Sequence, residues 1–520
     1  MKGNWREAAY EERGLLGLTA ALLAAILLLN PVGFQGGGMD DWQYLNAARC
    51  WIEYGPCLPE DHWQSRWPVI APLLASLGLL GESRWSAGLP SLLFGLTILT
   101  MLWGLFVRTG HARIGSMVTL FVVITPAFTT RLLQPNVEYP ELLMLLACAH
   151  SMLSYRNSAK RHWAFAAGIF FALSVQARET AAVALPILLL FAWKWARSDI
   201  RALIAAAFGT AIPTAVELLI FLVETGNPFY RRTLSIDHTQ ILSTELKSQP
   251  DPNAPPFFNT TYIANWRHQP GIAIHWSVDG LINLVFNAVG GLSLLFNLLL
   301  WPVTAGKVSE KESRLIKFAV LAMAYWSFVI VYALAIDPNP RMLLVPILGS
   351  QVILAIQLGV LERLGWRLAR FMILTAMTVS GLAVILTVAG NHHAEDELEH
   401  LLIKFDGQIE SDINTRKQLE LISGRETLTT VFDDRPLLLV QLGEQCAPWA
   451  NEKFGEDLSL VRSIDMNPLR SLYQTDAGFF CLFRYRQPIE PKDFLVARFP
   501  MLPDEIQKQM GSDARQNFER

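Results

Sequence analysis

The sequence predicts a polytopic α-helical membrane protein with about eleven spans, interfacial helices in its first outward loop, and a small α/β domain behind the last span. Three observations lead there. Of 520 residues, 52% are hydrophobic and only 17% are charged, against about 25% charged in soluble domains. Apolar segments of bilayer-spanning length, roughly 17–25 residues, recur to about residue 390. Every alternate loop between them is rich in Lys and Arg, the mark of loops kept on the cytoplasmic side. The chain thus divides into a transmembrane domain, residues 1–390, and an outer α/β domain, residues 391–520. The formal net charge is −3, from 43 Lys+Arg against 46 Asp+Glu. That balance sets up no field to draw nucleic acid, and no nucleic-acid partner is expected.

The first segment, residues 14–31, follows Arg6 and Arg13 as a signal peptide would. No small-residue cleavage site comes after it and many further spans do, so it is expected to remain as a span. A glycine run, Gly36-Gly37-Gly38, then leads to the adjacent acids Asp40 and Asp41. Beyond them Tyr44, Leu45, Ala48, Trp51 and Ile52 repeat at helical spacing, with Arg49 and Glu53 off the stripe. The pattern predicts a helix lying along the membrane surface with an acidic pair at its N-terminus. Helix capping is the plainer account of an Asp here, but it explains one acid and not two. Trp67 to Leu80 is apolar yet too short to span, and reads as a second interfacial or re-entrant helix.

The remaining spans are expected near 85–107, 114–130, 138–154, 162–177, 180–195, 201–223, 280–304, 315–336, 342–361 and 370–390. Basic residues follow the second (Arg108, His111, Arg113), the fourth (Arg156, Lys160, Arg161) and the sixth (Lys194, Arg197, Arg201). They follow the eighth (Lys307, Lys311, Arg314, Lys317) and the tenth (Arg363, Arg367, Arg370) as well. These loops and the N-terminus are assigned to the cytoplasm. After residue 391 the hydropathy falls away. A helix over Glu395–Ile422 and strands near Thr429–Phe432, Leu458–Val461 and Phe479–Tyr485 are expected there, on the outer side. No internal repeat is visible, contrary to a transporter built of inverted halves.

Five cysteines occur. Cys148 sits in an apolar run, as packing. Cys50 with Cys57 and Cys446 with Cys481 fall on the outer side as two local pairs, so two disulfides are open to an oxidising compartment. Their spacing matches no zinc site, and neither a metal nor another cofactor is expected.

The outward loops hold the groups that could do chemistry. Arg66 stands in Gln64-Ser65-Arg66-Trp67-Pro68, Arg178 between two apolar spans with almost no loop around it, and Arg341 after a Pro-Asn-Pro turn. Singly, each could be snorkelling to headgroups. As a set they run against the positive-inside bias. Ionisable groups at a membrane rim are costly and usually paired or functional. Guanidinium groups grip a phosphate bidentately, and a carboxylate beside them suits general-base work on a hydroxyl. Together they point to transfer of a group off a lipid phosphate. If that group is a sugar, attack opposite the phosphate inverts the anomeric centre.

These residues carry a resemblance. Asp40-Asp41-Trp42-Gln43-Tyr44-Leu45 is similar to the Asp-Asp/Glu-x-x-Tyr pattern after the first span of GT-C glycosyltransferases, in the branch of protein O-mannosyltransferases and the aminoarabinose and galacturonic acid transferases of lipid A and its core. Arg66-Trp67-Pro68-Val69 resembles that family's Lys-Pro-Pro-Leu element, with one Pro lost. Arg341-Met342-Leu343-Leu344-Val345-Pro346 resembles its Arg-Tyr-(x)n-Pro element, with Met342 in place of the Tyr. Thr225-Gly226-Asn227-Pro228-Phe229-Tyr230-Arg231 is similar to a loop of bacterial members.

The resemblance covers about residues 1–390 and implies roles. Asp40 would be the base with Asp41 its neighbour; Arg66, Arg178 and Arg341 would hold the donor phosphate; Tyr44, Glu138 and Glu141 would face substrate. It implies an inverting transferase that moves a sugar from a polyprenyl-phosphate donor to a lipid, glycan or protein acceptor. The enzyme would sit among the lipids of a bacterial inner membrane, with its site facing the periplasm. The rival expectations are a non-enzymatic lipid or glycan transporter and an outer-side polysaccharide ligase. None of the motifs encodes the sugar or the acceptor.

Overall fold

A computed structural model describes residues 5–29, 39–55, 57–59, 62–196, 199–234, 288–333, 343–383 and 385, with four strands at 408–411, 437–443, 458–465 and 479–485. Helices dominate: α1 Trp5–Glu11, α2 Arg13–Leu29, α3 Met39–Tyr54, α4 Trp67–Leu80, α5 Arg84–Arg108, α6 Ala112–Val123, α7 Pro126–Thr129, α8 Glu138–Ser158 and α9 Arg161–Ala177. A short 3-10 helix, Glu179–Ala184, leads into α10, Leu185–Ala196, and then α11, Ile200–Thr225. Ala288–Thr304 is α12, Glu310–Ser327 is α13, Leu344–Arg363 is α14, and residues 367–383 form α15.

All eleven expected spans are helical, in whole or in large part, over their described residues. Five of the described helices are long and apolar enough to cross a bilayer: Trp85–Arg108, Ile200–Thr225, Val289–Lys307, Glu310–Ile330 and Leu344–Arg363. The protein is a multi-pass membrane protein. The count of eleven is not reproduced by length and hydropathy, and proline explains one shortfall. The apolar run at 114–130 breaks at Thr125, extended at φ −81° and ψ 112°, because the following Pro126 disfavours helix in its predecessor. The run at 180–195 starts as a 3-10 helix and becomes α-helical only at Leu185, where Pro186 fits the first turn. The run at 315–336 ends in a π turn, Phe328–Ala333.

In lipid, helices associate through close packing and polar contacts rather than through the hydrophobic effect. Both devices occur here. Gly168 of α9 and Gly209 of α11 let the two backbones touch; a Cβ on Gly168 would lie 1.9 Å from the Ala206 carbonyl oxygen. Helices α12 and α14 are joined by Ser293 and Ser350, whose hydroxyls are 2.6 Å apart, and by Asn297, which donates to the Ser350 carbonyl at 2.9 Å. Gln351 of α14 donates to Thr125 at 2.7 Å. Around these contacts the core gathers Ile98, Met117, Phe121, Phe128, Leu354 and Ile356, all buried.

One end of the bundle is sewn by charge. Arg363 reaches both oxygens of Glu312 at 2.9 Å, while Glu362 takes Arg113 at 2.5 Å and Arg370 at 2.6 Å. Three loops assigned to the same side on charge alone therefore meet. At α11, Asp199 accepts from the Arg201 and Ala202 backbone N–H groups as an N-cap and takes the Tyr155 hydroxyl at 2.8 Å.

The four strands belong to a second compact unit. Their order is β1 (Gln408–Ser411), β2 (Leu437–Gly443), β4 (Phe479–Tyr485) and β3 (Leu458–Asp465), with β1 parallel to β2 and the other pairings antiparallel. The strands expected near 458–461 and 479–485 are present. Gln408–Ser411 corrects the helix expected over Glu395–Ile422: pairing with Leu437–Val440 overrides a local helical signal. The rest of that helix and the strand expected at Thr429–Phe432 lie outside the described residues.

Candidate functional site

The site is built where α3, the turn before α4, the start of α8, the end of α9 and the segment after α11 come together. Asp40 and Asp41 occupy the first turn of α3, beside the positive end of its dipole. Asp41 is buried; the side chain of Asp40 lies outside the described residues. Tyr44 is three residues on from Asp41 and so shares its face of the helix. Tyr44, Leu45 and Ala48 are fully buried, as the apolar stripe required. Ile52, at the far end of that stripe, is exposed instead, while Trp51 beside it meets the Trp67 ring edge to face, centroids 4.9 Å apart. A disulfide joins Cys50 to Cys57 across 6.0 Å between Cα atoms and ties the last turn of α3 to the loop ahead of α4. Cys148 is free and buried, while Cys446 lies outside the described residues.

Arg66 precedes α4 and is buried, with its Nη1 donating to the Tyr44 hydroxyl at 2.7 Å. Its Nη2 lies 3.8 Å from Glu179 Oε2. Thus the two interfacial helices expected from sequence are joined by Arg66 and Tyr44, two of the residues singled out there.

Arg178 is the extended C-cap that ends α9, at φ −158° and ψ 128°, and its side chain turns inward. Nη1 lies 3.4 Å from Glu138 Oε1 and 3.7 Å from Glu141 Oε2. The two acids stand on one face of the first turn of α8, and the turn ahead of it is fixed by Asn136, whose Oδ1 accepts the Tyr139 N–H at 2.9 Å. Thr180 adds its hydroxyl to Glu141 at 3.2 Å. Arg178, Glu138, Glu141 and Thr180, with Thr125 and Gln351, form the polar part of the wall of a cavity of about 60 Å³. The rest is largely apolar, with Ile98, Leu142, Trp326, Ile330 and Ile347 among the lining residues. A polar cluster of arginine and carboxyl groups facing a mainly hydrocarbon space fits an amphiphile with a charged head.

Glu179 was absent from the sequence expectation as a site residue, and so was Arg231. Glu179 links Arg66 to Arg231, whose Nε and Nη2 donate to Glu179 Oε1 at 2.9 and 2.7 Å. Burial pushes the Glu179 carboxyl up, but the guanidinium groups of Arg231 and Arg66 outweigh it and hold the carboxyl below its ordinary value. Its ion pairs are therefore complete at neutral pH and weaken only on acidification through that lowered range. The signal for Arg231 was present, since it closes the segment Thr225–Arg231 already noted, but no local spacing tied it to Glu179.

So the structure brings Arg66 to Tyr44 and gathers Arg178, Glu138 and Glu141 into one cluster. Arg341 lies outside the described residues. Among the described residues no group of His, Cys, Asp and Glu is placed to hold a metal.

With this geometry in hand, comparison with known proteins is decisive for the fold. ArnT from Cupriavidus metallidurans bound to undecaprenyl phosphate aligns at TM-score 0.51 and 11% identity, over 90% of this chain and 98% of that one. This chain has the GT-C fold. Residues 67–220 of the GT-C chain also match the family described as dolichyl-phosphate-mannose-protein mannosyltransferase, a region that holds Glu138, Glu141 and Arg178. Two further structures align less well. The apo form of the same ArnT has TM-score 0.41, 10% identity, and coverage of 91% and 98%. The Archaeoglobus fulgidus oligosaccharyltransferase, in complex with zinc and sulfate, has TM-score 0.47, 13% identity, and coverage of 79% and 61%. No curated protein matches the chain.

Proposed function

We propose that this GT-C protein is an inverting glycosyltransferase that takes a sugar from a polyprenyl-phosphate carrier. The observation that carries the reading is the pair of buried arginines, Arg66 and Arg178, held by the elements that also bear Asp41, Glu138 and Glu141, with Arg178 on the wall of a mainly apolar cavity. ArnT, which shares the fold, is a protein solved with undecaprenyl phosphate bound.

In this reading Arg66 and Arg178, with Arg341, bind the lipid phosphate by charge-assisted hydrogen bonds. Asp40 takes the proton from an acceptor hydroxyl, with Asp41 beside it. The hydroxyl oxygen bonds to the anomeric carbon, the bond from that carbon to the phosphate oxygen breaks, and polyprenyl phosphate leaves with its negative charge met by guanidinium groups. Attack and departure on opposite faces invert the centre. Tyr44, Glu138 and Glu141 orient the sugar or the acceptor. No step requires a metal.

The acceptor is a hydroxyl of a lipid, glycan or protein, and the site lies at the outer, periplasmic face of a bacterial inner membrane. The alternate basic loops support that side, as does a disulfide between Cys50 and Cys57, which belongs to an oxidising compartment.

The test is the Asp40→Asn enzyme, assayed for release of undecaprenyl phosphate from undecaprenyl-phosphate-linked hexoses and pentoses. Asn caps a helix about as well as Asp, so the protein should insert and fold. Activity should drop by about 10²–10⁴-fold, the usual worth of general-base assistance. A fully active Asp40→Asn enzyme would rule Asp40 out as the base.

A further inference from the structure

Arg231 has every arm of its guanidinium occupied within the protein. Nε and Nη2 hold Glu179 Oε1 at 2.9 and 2.7 Å, Nη1 holds Glu217 Oε1 at 2.8 Å, and Nη2 also donates to the Gln176 carbonyl at 2.9 Å. Only 12% of its side chain is exposed. A fork so engaged is not a ligand for substrate; it is a clamp.

What it clamps matters. Gln176 and Glu179 stand on either side of Arg178, two residues before it and one after, so Arg231 grips the backbone turn from which Arg178 projects. Glu179 is also the carboxylate 3.8 Å from Arg66. The residue before Arg231 acts in the same direction, for the Tyr230 hydroxyl donates to the Pro59 carbonyl at 3.2 Å, in the loop that leads to Arg66. The segment is delivered there by a defined stop. Gly226, at φ 71°, ends α11 in the left-handed conformation, and Asn227 turns the chain by accepting the Phe229 N–H at 3.0 Å.

We infer that Arg231 is the positioning residue of the two arginines read above as phosphate ligands: it sets Arg178 through the 176–179 turn and Arg66 through Glu179. This rests on the phosphate-binding role of Arg66 and Arg178. Lysine is no substitute, because an ammonium is a point charge on a flexible stem and lacks a planar fork to span Glu179, Glu217 and a carbonyl together.

The experiment uses the full-length protein in nanodiscs with undecaprenyl phosphate as probe and undecaprenol as the uncharged control. Arg231→Lys should weaken undecaprenyl phosphate binding by about tenfold, the worth of one charge-assisted hydrogen bond. In turnover assays it should raise KM for the donor while kcat at saturating donor holds. Glu179→Gln, a milder change, should shift binding in the same direction and serves if Arg231→Lys fails to fold. Combined with Arg66→Gln, the Arg231→Lys loss should be less than additive, as expected of residues acting through one link. Arg314→Ala, an exposed pair on the opposite end of the bundle, should bind as wild type. A folded Arg231→Lys protein with wild-type affinity, or losses that add fully, would overturn the positioning role alone. A wild-type protein that binds undecaprenol as well as undecaprenyl phosphate would overturn the phosphate reading and this inference with it.

Discussion

Arg178 sits buried with two carboxylates, and the arithmetic of buried charge makes it indispensable to them. Removing one partner of a buried ionic group strands the others, at about 3–5 kcal/mol. Arg178→Ala should therefore lower thermal stability sharply, and Glu138→Gln with Glu141→Gln in the same chain should restore most of the loss. If Arg178→Ala melts with the wild type, the cluster is not held by charge. Arg66 and Arg178 stood out in the sequence because ionisable groups between apolar runs are few, whereas Glu138 and Glu141 were expected only through the family resemblance and Tyr44 through its helical stripe and the family motif. Their partners were not legible. Arg231 finds Glu179 across 52 residues and Glu217 across 14, and no helical spacing joins either pair. Nor did anything local say that Arg66 would lie on Tyr44 rather than open to solvent.

At the scale of elements, apolar runs foretold nearly every helix, and the two short interfacial helices α3 and α4 stand where their patterns placed them. Hydropathy could not see inside a run. Thr125 breaks one, a 3-10 turn opens another and a π turn ends a third, and each depends on backbone conformation rather than on apolar content. The sheet was harder still: β1 was read as helix because four residues carry no strand signal until Leu437–Val440 lies beside them. The contact between α9 and α11 is the most exacting in the bundle. Gly168→Val would drive a side chain into the Ala206 carbonyl, so the variant should lose its monodisperse peak in size-exclusion chromatography. Gly306→Val, with nothing near its added Cβ, should keep it. A monodisperse Gly168→Val protein would contradict the close packing.

Across the whole molecule, the bundle has two unlike ends. One joins Arg113, Glu312, Glu362, Arg363 and Arg370 in ion pairs that need no ligand. The other places arginines and acids around a mainly apolar cavity. This division is what alternating basic loops imply, and it follows from the chain's passing back and forth between the two ends. Alkaline phosphatase fused after Asn227 should be active in cells, and the same enzyme fused after Lys160 should not; the reverse pattern would turn the protein over and put the site on the cytoplasmic side. The central claim is that the outer end takes a lipid phosphate, and the most direct measurement is an experimental density map of the protein in nanodiscs with undecaprenyl phosphate. The account predicts a phosphate within hydrogen-bonding distance of Arg66 and Arg178, with the chain running along the apolar wall. Phosphate density at the opposite end, or none at Arg66 and Arg178 under saturating lipid, would contradict it.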